Sequence, residues 1–368
     1  MPRFSNFTPS SSFAADALLR CEEITNDLID ILGNLGAIVA IDVEGVGRVT
    51  FTAGHSDLER QRAVQPNDCY AIGSQTKTVV AMAILLMSRD GLLSLDDPLY
   101  IYVDLPVDRR ITIRHLLMNS CGLGEIVNVL VAARADLRIH YAPRDLISLV
   151  LPQGQLFPPG EHFDYCNTGW VILGMIIEAI SGKHMSDVIA QRILSPLELK
   201  NSGFGGNTPS GEFLRCYISF DKEEPTDTTQ LLSWAFGAGD GFSNADDILT
   251  IYKSLMRADS PVGISLHDLG HRTLRPTGSP VTRLSVGAEY GFGIERRKWA
   301  GSEVWGHPGS TFACRSSTWI DTMRGVAVTM ALTIHLESAL QDDTARFPRG
   351  QLFSMALNTG YALAADRV

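Results

Sequence analysis

The stretch AIGSQTKTVVAMAILLMSRDG, residues 71–91, sets the tightest limit on how this chain can fold. From Val79 to Met87 every residue is apolar, and at helical spacing these side chains cover all faces rather than one stripe. A helix apolar all round belongs in a core or at a seam between packed units. Its first turn nevertheless carries Ser74, Gln75, Thr76 and Lys77. A lysine at the start of a buried helix is costly unless its amine has work to do.

Ser74 and Lys77 are three residues apart, so on a helix they share a face. The helix N-terminus favours negative charge developing on the serine. The same positive end, with burial, disfavours the ammonium form of Lys77. A neutral amine beside a hydroxyl can take its proton, which is nucleophile activation of the Ser-Lys kind. Residue usage agrees: the chain has 25 arginines and 6 lysines, and Lys77 is the only lysine before Lys183. Arginine effectively cannot deprotonate, whereas lysine can. S-x-x-K alone is weak, because chance supplies roughly half a match in a chain of this composition. A second match, Ser219–Lys222, lies in a polar, acidic stretch without an apolar helix and reads as coincidence.

Composition narrows the remaining classes. The 368 residues, 45% hydrophobic and 20% charged, suffice for one large domain or two moderate ones. A net charge of -10 argues against nucleic acid or an anionic membrane as partner. The longest apolar runs are about half of the ~20 residues that a membrane span needs. The N-terminal stretch has no apolar core of a secretory signal, so the expected location is cytoplasmic. Six scattered cysteines (21, 69, 121, 166, 216, 314) form no C-x-x-C and read as free, mostly buried thiols. Cys166 reads as packing. No H-E-x-x-H or similar spacing occurs, so neither metal nor cofactor is expected. The lack of G-x-S-x-G argues against an α/β-hydrolase.

Periodicity predicts helices over 14–34, 75–90, 112–118, 143–150, 168–181, 185–194, 245–257 and 350–363. AIVAIDVEGVGRVTFTAG reads as two strands about Glu44-Gly45, and YGFGIERRKW, SEVWGHPG, CRSSTWID and GVAVTMALTI read as consecutive strands. The fold class is therefore α/β of the α+β kind: an antiparallel sheet built from both chain ends, flanked by helices, with a mainly helical insertion. The expected units are 13–72 together with 236–368, and an inserted domain at 73–235, with the active site at the seam. Residues 1–12 read as a flexible arm.

Two further motifs bear on Ser74. Tyr165-Cys166-Asn167 is the only Y-x-N, just before an apolar helix, and His307-Pro308-Gly309 is the only H-x-G, on an expected strand. Singly, Tyr165 reads as a packed core residue, His307 as a strand histidine and Asn167 as a helix N-cap. Together the order S-x-x-K, Y-x-N, H-x-G resembles the serine β-lactamase and penicillin-binding protein family. The resemblance is to the branch with class C β-lactamases, D-alanyl-D-alanine carboxypeptidases, D-aminopeptidases, esterases and transacylases. ITIRHLLMNSCGL, PPGEHFDYCNTGWVILGMIIEAISGK, ILSPLELKNSGF and GAGDGFSNADDI extend it over roughly residues 20–335.

The resemblance implies a β-lactamase/transpeptidase-like fold and a set of roles. Ser74 becomes acylated, with Lys77 as its base or sharing a proton with Tyr165. Tyr165 passes a proton to the leaving group and later activates the acceptor. Asn167 orients the Lys77 amine and the substrate amide. The backbone N–H groups of Ser74 and Ser310 form the oxyanion hole, with Gly309 allowing close approach. His307 lines the pocket and bonds to Tyr165 or substrate, while Trp234 and Phe312 make it apolar. Class C β-lactamases carry Lys-Thr-Gly where this chain has His-Pro-Gly. Pro308 offers neither hydroxyl nor N–H, and His307 is mostly neutral, so the pocket suits a free carboxylate poorly. The implied function is a serine hydrolase of esterase or amidase type, acting on a neutral small-molecule ester or amide. The alternative is a transacylase that passes the acyl group to an amine or alcohol. A D-alanyl-D-alanine carboxypeptidase, a β-lactamase and a non-catalytic binding protein rank below these. Substrate and oligomeric state are not legible.

Overall fold

A computed structural model describes residues 11–32, 36–218, 224–270, 288–333, 335–336 and 349–365. Residues 1–10 of the expected arm and the second S-x-x-K match, Ser219–Lys222, lie outside them, whereas Ser12 of that arm opens a helix. The described helices are α1 (Ser12–Leu32), α2 (Thr76–Arg89), α3 (Ile113–Leu117), α4 (Ile126–Ala132), α5 (Pro143–Val150), α6 (Asn167–Ser181), α7 (Met185–Ile189), α8 (Ala245–Ser254), α9 (Leu266–Gly270) and α10 (Arg349–Ala365). The main sheet comprises β1 (Ala37–Val43), β2 (Gly47–Ala53), β3 (Glu289–Tyr290), β4 (Glu295–Trp299), β5 (Ser302–Ser310), β6 (Cys314–Asp321) and β7 (Val326–Thr333). Its order is β2-β1-β7-β6-β5-β4-β3, with every pairing antiparallel. The N-terminal hairpin thus docks on the last strand, where Ile38 faces Ala331 and Ile41 faces Val328.

β1 is buried along its whole length because it has a core on each face. Val39, Ile41 and Val43 join Val328, Met330, Leu18 of α1 and Leu357 of α10 in one layer. The alternate residues Ile38 and Ala40 join Ala327, Ala331 and the helices of 76–194 in the other. This period-two division is what the pleat of a strand imposes. Asp42 breaks the apolar run, and its carboxylate is satisfied by Arg48 and by Lys253 of α8.

α2 lies in the second core with Thr76–Ile84, Leu86 and Met87 buried. Each large aliphatic side chain so buried contributes about 1.5–3 kcal/mol relative to exposure. α6 packs beside it and ends at Gly182, whose φ of 66° supplies the left-handed cap. α4 is short, and Arg134 takes a φ of 48° just beyond it. Two expected helices end differently. The 185–194 helix widens to a π-turn over Ala190–Leu194. α8 stops at Ser254, three residues early. All six cysteines are buried and free. Among the described residues, no helix is long and apolar enough to cross a membrane.

Candidate active site

Ser74 sits in a 3-10 turn, Gly73–Gln75, that leads straight into α2. Gly73 makes this turn possible twice over. Its φ is +53°, and a Cβ there would lie 2.5 Å from the backbone nitrogen of Ser310. Gly309 is equally constrained, since a Cβ would lie 1.9 Å from the Ile72 carbonyl oxygen. The start of α2 therefore lies hard against the end of β5. β4 pairs with β5 only as far as Gly306, which leaves the 307–310 segment open on that side. Thr311 N–H is spent on the Cys314 carbonyl at 2.9 Å, so ladder alternation turns the Ser310 N–H the other way, toward Gly73.

Side chains lock the turn in place. Thr76 Oγ1 donates to the Gly73 carbonyl at 2.7 Å and accepts from Gly241 N–H at 3.0 Å. Gln75 Nε2 donates to Ser316 Oγ at 2.7 Å, and that hydroxyl donates to the Ile72 carbonyl at 2.7 Å. Ser74 itself is half-buried, which leaves its hydroxyl reachable.

Lys77 is fully buried. Its Nζ lies 3.0 Å from Ser74 Oγ, 2.7 Å from Asn167 Oδ1 and 2.5 Å from the Ala238 carbonyl oxygen. It also stands 4.9 Å from the centre of the Tyr165 ring. Asn167 opens α6, whose first turn has no cap from the residue before it. Glu125 supplies that cap from another segment: Oε2 accepts the Asn167 N–H at 2.6 Å and Oε1 accepts Asn167 Nδ2 at 2.7 Å. Asn119 anchors the approach to α6, accepting from Cys166 N–H at 3.3 Å and Trp170 Nε1 at 2.9 Å. Cys166 turns its sulfur onto the Leu123 and Gly124 carbonyls, 3.5 and 3.6 Å away.

His307 is buried within β5, with its ring centre 6.2 Å from that of Tyr165. Its Nδ1 contacts the Pro308 carbonyl at 2.6 Å, and a carbonyl can only accept, so Nδ1 carries the proton. Nε2 is then an acceptor and takes the hydroxyl proton of Tyr290 at 3.0 Å. Burial first, and the charge of Lys77 second, push the His307 pKa down to about 3, so the ring stays neutral. His307 thus bonds through Nε2 to Tyr290, a residue that sequence reasoning missed. Tyr290 meets Tyr165 edge-on, with ring centres 6.0 Å apart.

A second missed group is Asp240, buried in the loop whose Ala238 carbonyl holds Lys77. Burial pushes its pKa up to about 7, against backbone N–H bonds from Gly237, Asp240 and Gly205 and the charge of Lys77, which lower it. Trp234 and Phe312 meet at a tilt of 50° with ring centres 4.8 Å apart and line a small cavity with Leu137, Cys216, Leu232 and Thr311. The structure therefore gathers Ser74, Lys77, Asn167, Tyr165 and His307 in one place, beside Gly309 and Ser310. Among the described residues, no group of three His, Cys, Asp or Glu side chains is placed to hold a metal ion.

This architecture, an antiparallel sheet with a serine-lysine helix start against its β5 strand, is the β-lactamase/transpeptidase-like fold. It is shared by the D-amino acid amidase of Ochrobactrum anthropi SV3, solved with L-phenylalanine amide (TM-score 0.81, 22% identity, 96% of this chain and 100% of that one). It is shared too by the octameric penicillin-binding protein homologue of Pyrococcus abyssi (TM-score 0.78, 22% identity, 93% and 77% covered). The Beta-lactamase family pattern matches residues 26–350, and the chain belongs to that family. A D-aminopeptidase of Brucella anthropi is 25% identical over 285 residues, 77% of this chain. The chain spans about half of that relative's length, 53%.

Proposed function

We propose that this chain is a serine hydrolase working through an acyl-Ser74 intermediate on a neutral amide or ester. The observation that carries the reading is the buried Lys77 amine 3.0 Å from Ser74 Oγ. Ser74 Oγ attacks the carbonyl carbon and its proton passes to Lys77 Nζ. The carbonyl oxygen, now negative, takes hydrogen bonds from the N–H groups of Ser74 and Ser310. The carbon–nitrogen or carbon–oxygen bond then breaks, and the leaving group receives a proton through Tyr165. Water attacks the acyl-serine in the second half, giving its proton back along the same groups.

In this reading the site lies where the helical insertion at 73–235 meets the sheet unit formed by 13–72 and 236–368. Asn167 holds the amine, Gly309 keeps strand and helix start close, and the Trp234–Phe312 wall faces the acyl group. Neutral His307 offers no charge for a carboxylate, which favours amides over free acids as substrates. The amidase and D-aminopeptidase relatives point to amino acid amides or short peptides, with D-residues as the first to try. Six free buried thiols fit a reducing cytoplasm.

The test is turnover of D- and L-phenylalanine amide and of a small activated ester, with and without a primary amine. Release of ammonia or free acid that Ser74→Ala abolishes supports the hydrolase. Acyl transfer to the amine in preference to water makes it a transacylase. Turnover unchanged by Ser74→Ala sinks both.

A further inference from the structure

We propose that Glu125 is a positioning residue of this centre: its carboxylate fixes which way the Asn167 amide faces, and through that amide aims the Lys77 lone pair at Ser74. The inference rests on the acyl-Ser74 reading.

The argument is one of donors and acceptors. Glu125 Oε1 accepts from Val127 N–H at 2.9 Å and from Asn167 Nδ2 at 2.7 Å, while Oε2 accepts from Asn167 N–H at 2.6 Å. A carboxylate has no hydrogen to give, so the atom of the Asn167 amide that faces it must be the nitrogen. Oδ1 is then left facing Lys77, at 2.7 Å. The Ala238 carbonyl, at 2.5 Å, is an acceptor as well. A neutral amine has two hydrogens and one lone pair. With its hydrogens directed to these two obligate acceptors, the lone pair is left for a hydroxyl donor, and the Ser74 hydroxyl stands at 3.0 Å. The base is thereby aimed before substrate arrives.

The bond from Glu125 bridges two elements. Its N–H contact to Val127 starts α4, and its contacts to Asn167 start α6. Glu125→Gln keeps the shape but replaces one acceptor oxygen by an NH2 group. That group opposes the Asn167 N–H or its Nδ2. Rotating the Asn167 amide relieves the second conflict but turns Nδ2 toward Lys77, where it claims the lone pair meant for Ser74.

The experiment compares wild type, Glu125→Gln, Asn167→Ala and the double variant, each checked for folding by circular dichroism. One readout is the rate of acyl-Ser74 formation from p-nitrophenyl acetate across pH. Losing a nearby negative charge lowers the apparent midpoint, and losing the aim lowers the alkaline plateau on the order of 100-fold. The double variant is expected to be no slower than Asn167→Ala alone. A lowered midpoint with an unchanged plateau, or losses that add, would overturn the proposal. The second readout needs no turnover: the Asn167 side-chain amide signals in nitrogen-15 NMR, expected to move in Glu125→Gln as the bond to the carboxylate is lost. Wild type that never acylates refutes the acyl-enzyme reading, and unmoved Asn167 signals then refute the role of Glu125 separately.

Discussion

On one face of the sheet, α1 and α10 meet a layer of Val39, Ile41, Val328, Met330 and Leu357. On the other face, α2 and α6 bring an equally buried apolar layer, but Lys77, Asn167 and His307 are sealed within it. The first face gains its stability from area removed from water, and substitution there is felt as volume. In the second, each buried polar group must find a partner of the right sense, and substitution is felt as chemistry. One face specifies that the chain folds; the other specifies what the folded chain does.

The sharpest way to break this contrast is Ser74→Ala. Acyl transfer should fall by about 10⁴-fold or more, while the thermal midpoint stays where it was, because Ser74 is half-buried and its hydroxyl can be removed without opening a core. Comparable turnover in the variant contradicts the account. Lys77→Met comes next. Loss of the base should cost about 10²- to 10⁴-fold in rate. Removing the amine also strands the Asn167 Oδ1 and Ala238 carbonyl acceptors, so stability should fall as well, by about 1–3 kcal/mol for each. Thermal melts and single-turnover rates on the same sample separate the two effects, and a destabilised Lys77→Met that acylates at the wild-type rate would make the lysine structural. The mirror experiment is Leu357→Ala, on the α10 face. It should cost about 2–5 kcal/mol in denaturant unfolding, with the rate per folded molecule unchanged.

The smallest effect is a matter of pH. Asp240 has a folded pKa of about 7 against 3.8 for an ordinary aspartate, so the folded state binds the extra proton. Its contribution is full below the lower value and is lost as pH rises through the upper one. His307 works the other way: with a folded pKa of about 3 against 6.5, the folded state resists protonation and stability falls as pH drops below 6.5. The melting temperature of Asp240→Asn relative to wild type should therefore climb with pH between these two aspartate values and level off above. A difference that is flat across that window removes Asp240 from the account.

How much of this was legible depended on sequence distance. The apolar run 79–87 and the three-residue step from Ser74 to Lys77 are local patterns, and the run marked a buried helix correctly. Tyr165, Asn167 and His307 came from the order of three motifs. Glu125 did not, because its bond to Asn167 joins residues 42 apart and its own neighbours look like an ordinary helix start. Tyr290 was missed for a related reason: it lies on a two-residue edge strand, where no periodicity can mark a side chain as facing His307. Asp240 stood within a segment that entered only as part of the resemblance, and burial is what makes its carboxyl unusual.

The most direct test of the central claim is intact mass of the protein after brief exposure to p-nitrophenyl acetate, followed by peptide mapping. The account predicts one acetyl group, on Ser74, absent from Ser74→Ala and formed far more slowly in Lys77→Met. An acetyl group on any other residue, or one that survives in Ser74→Ala, would contradict it.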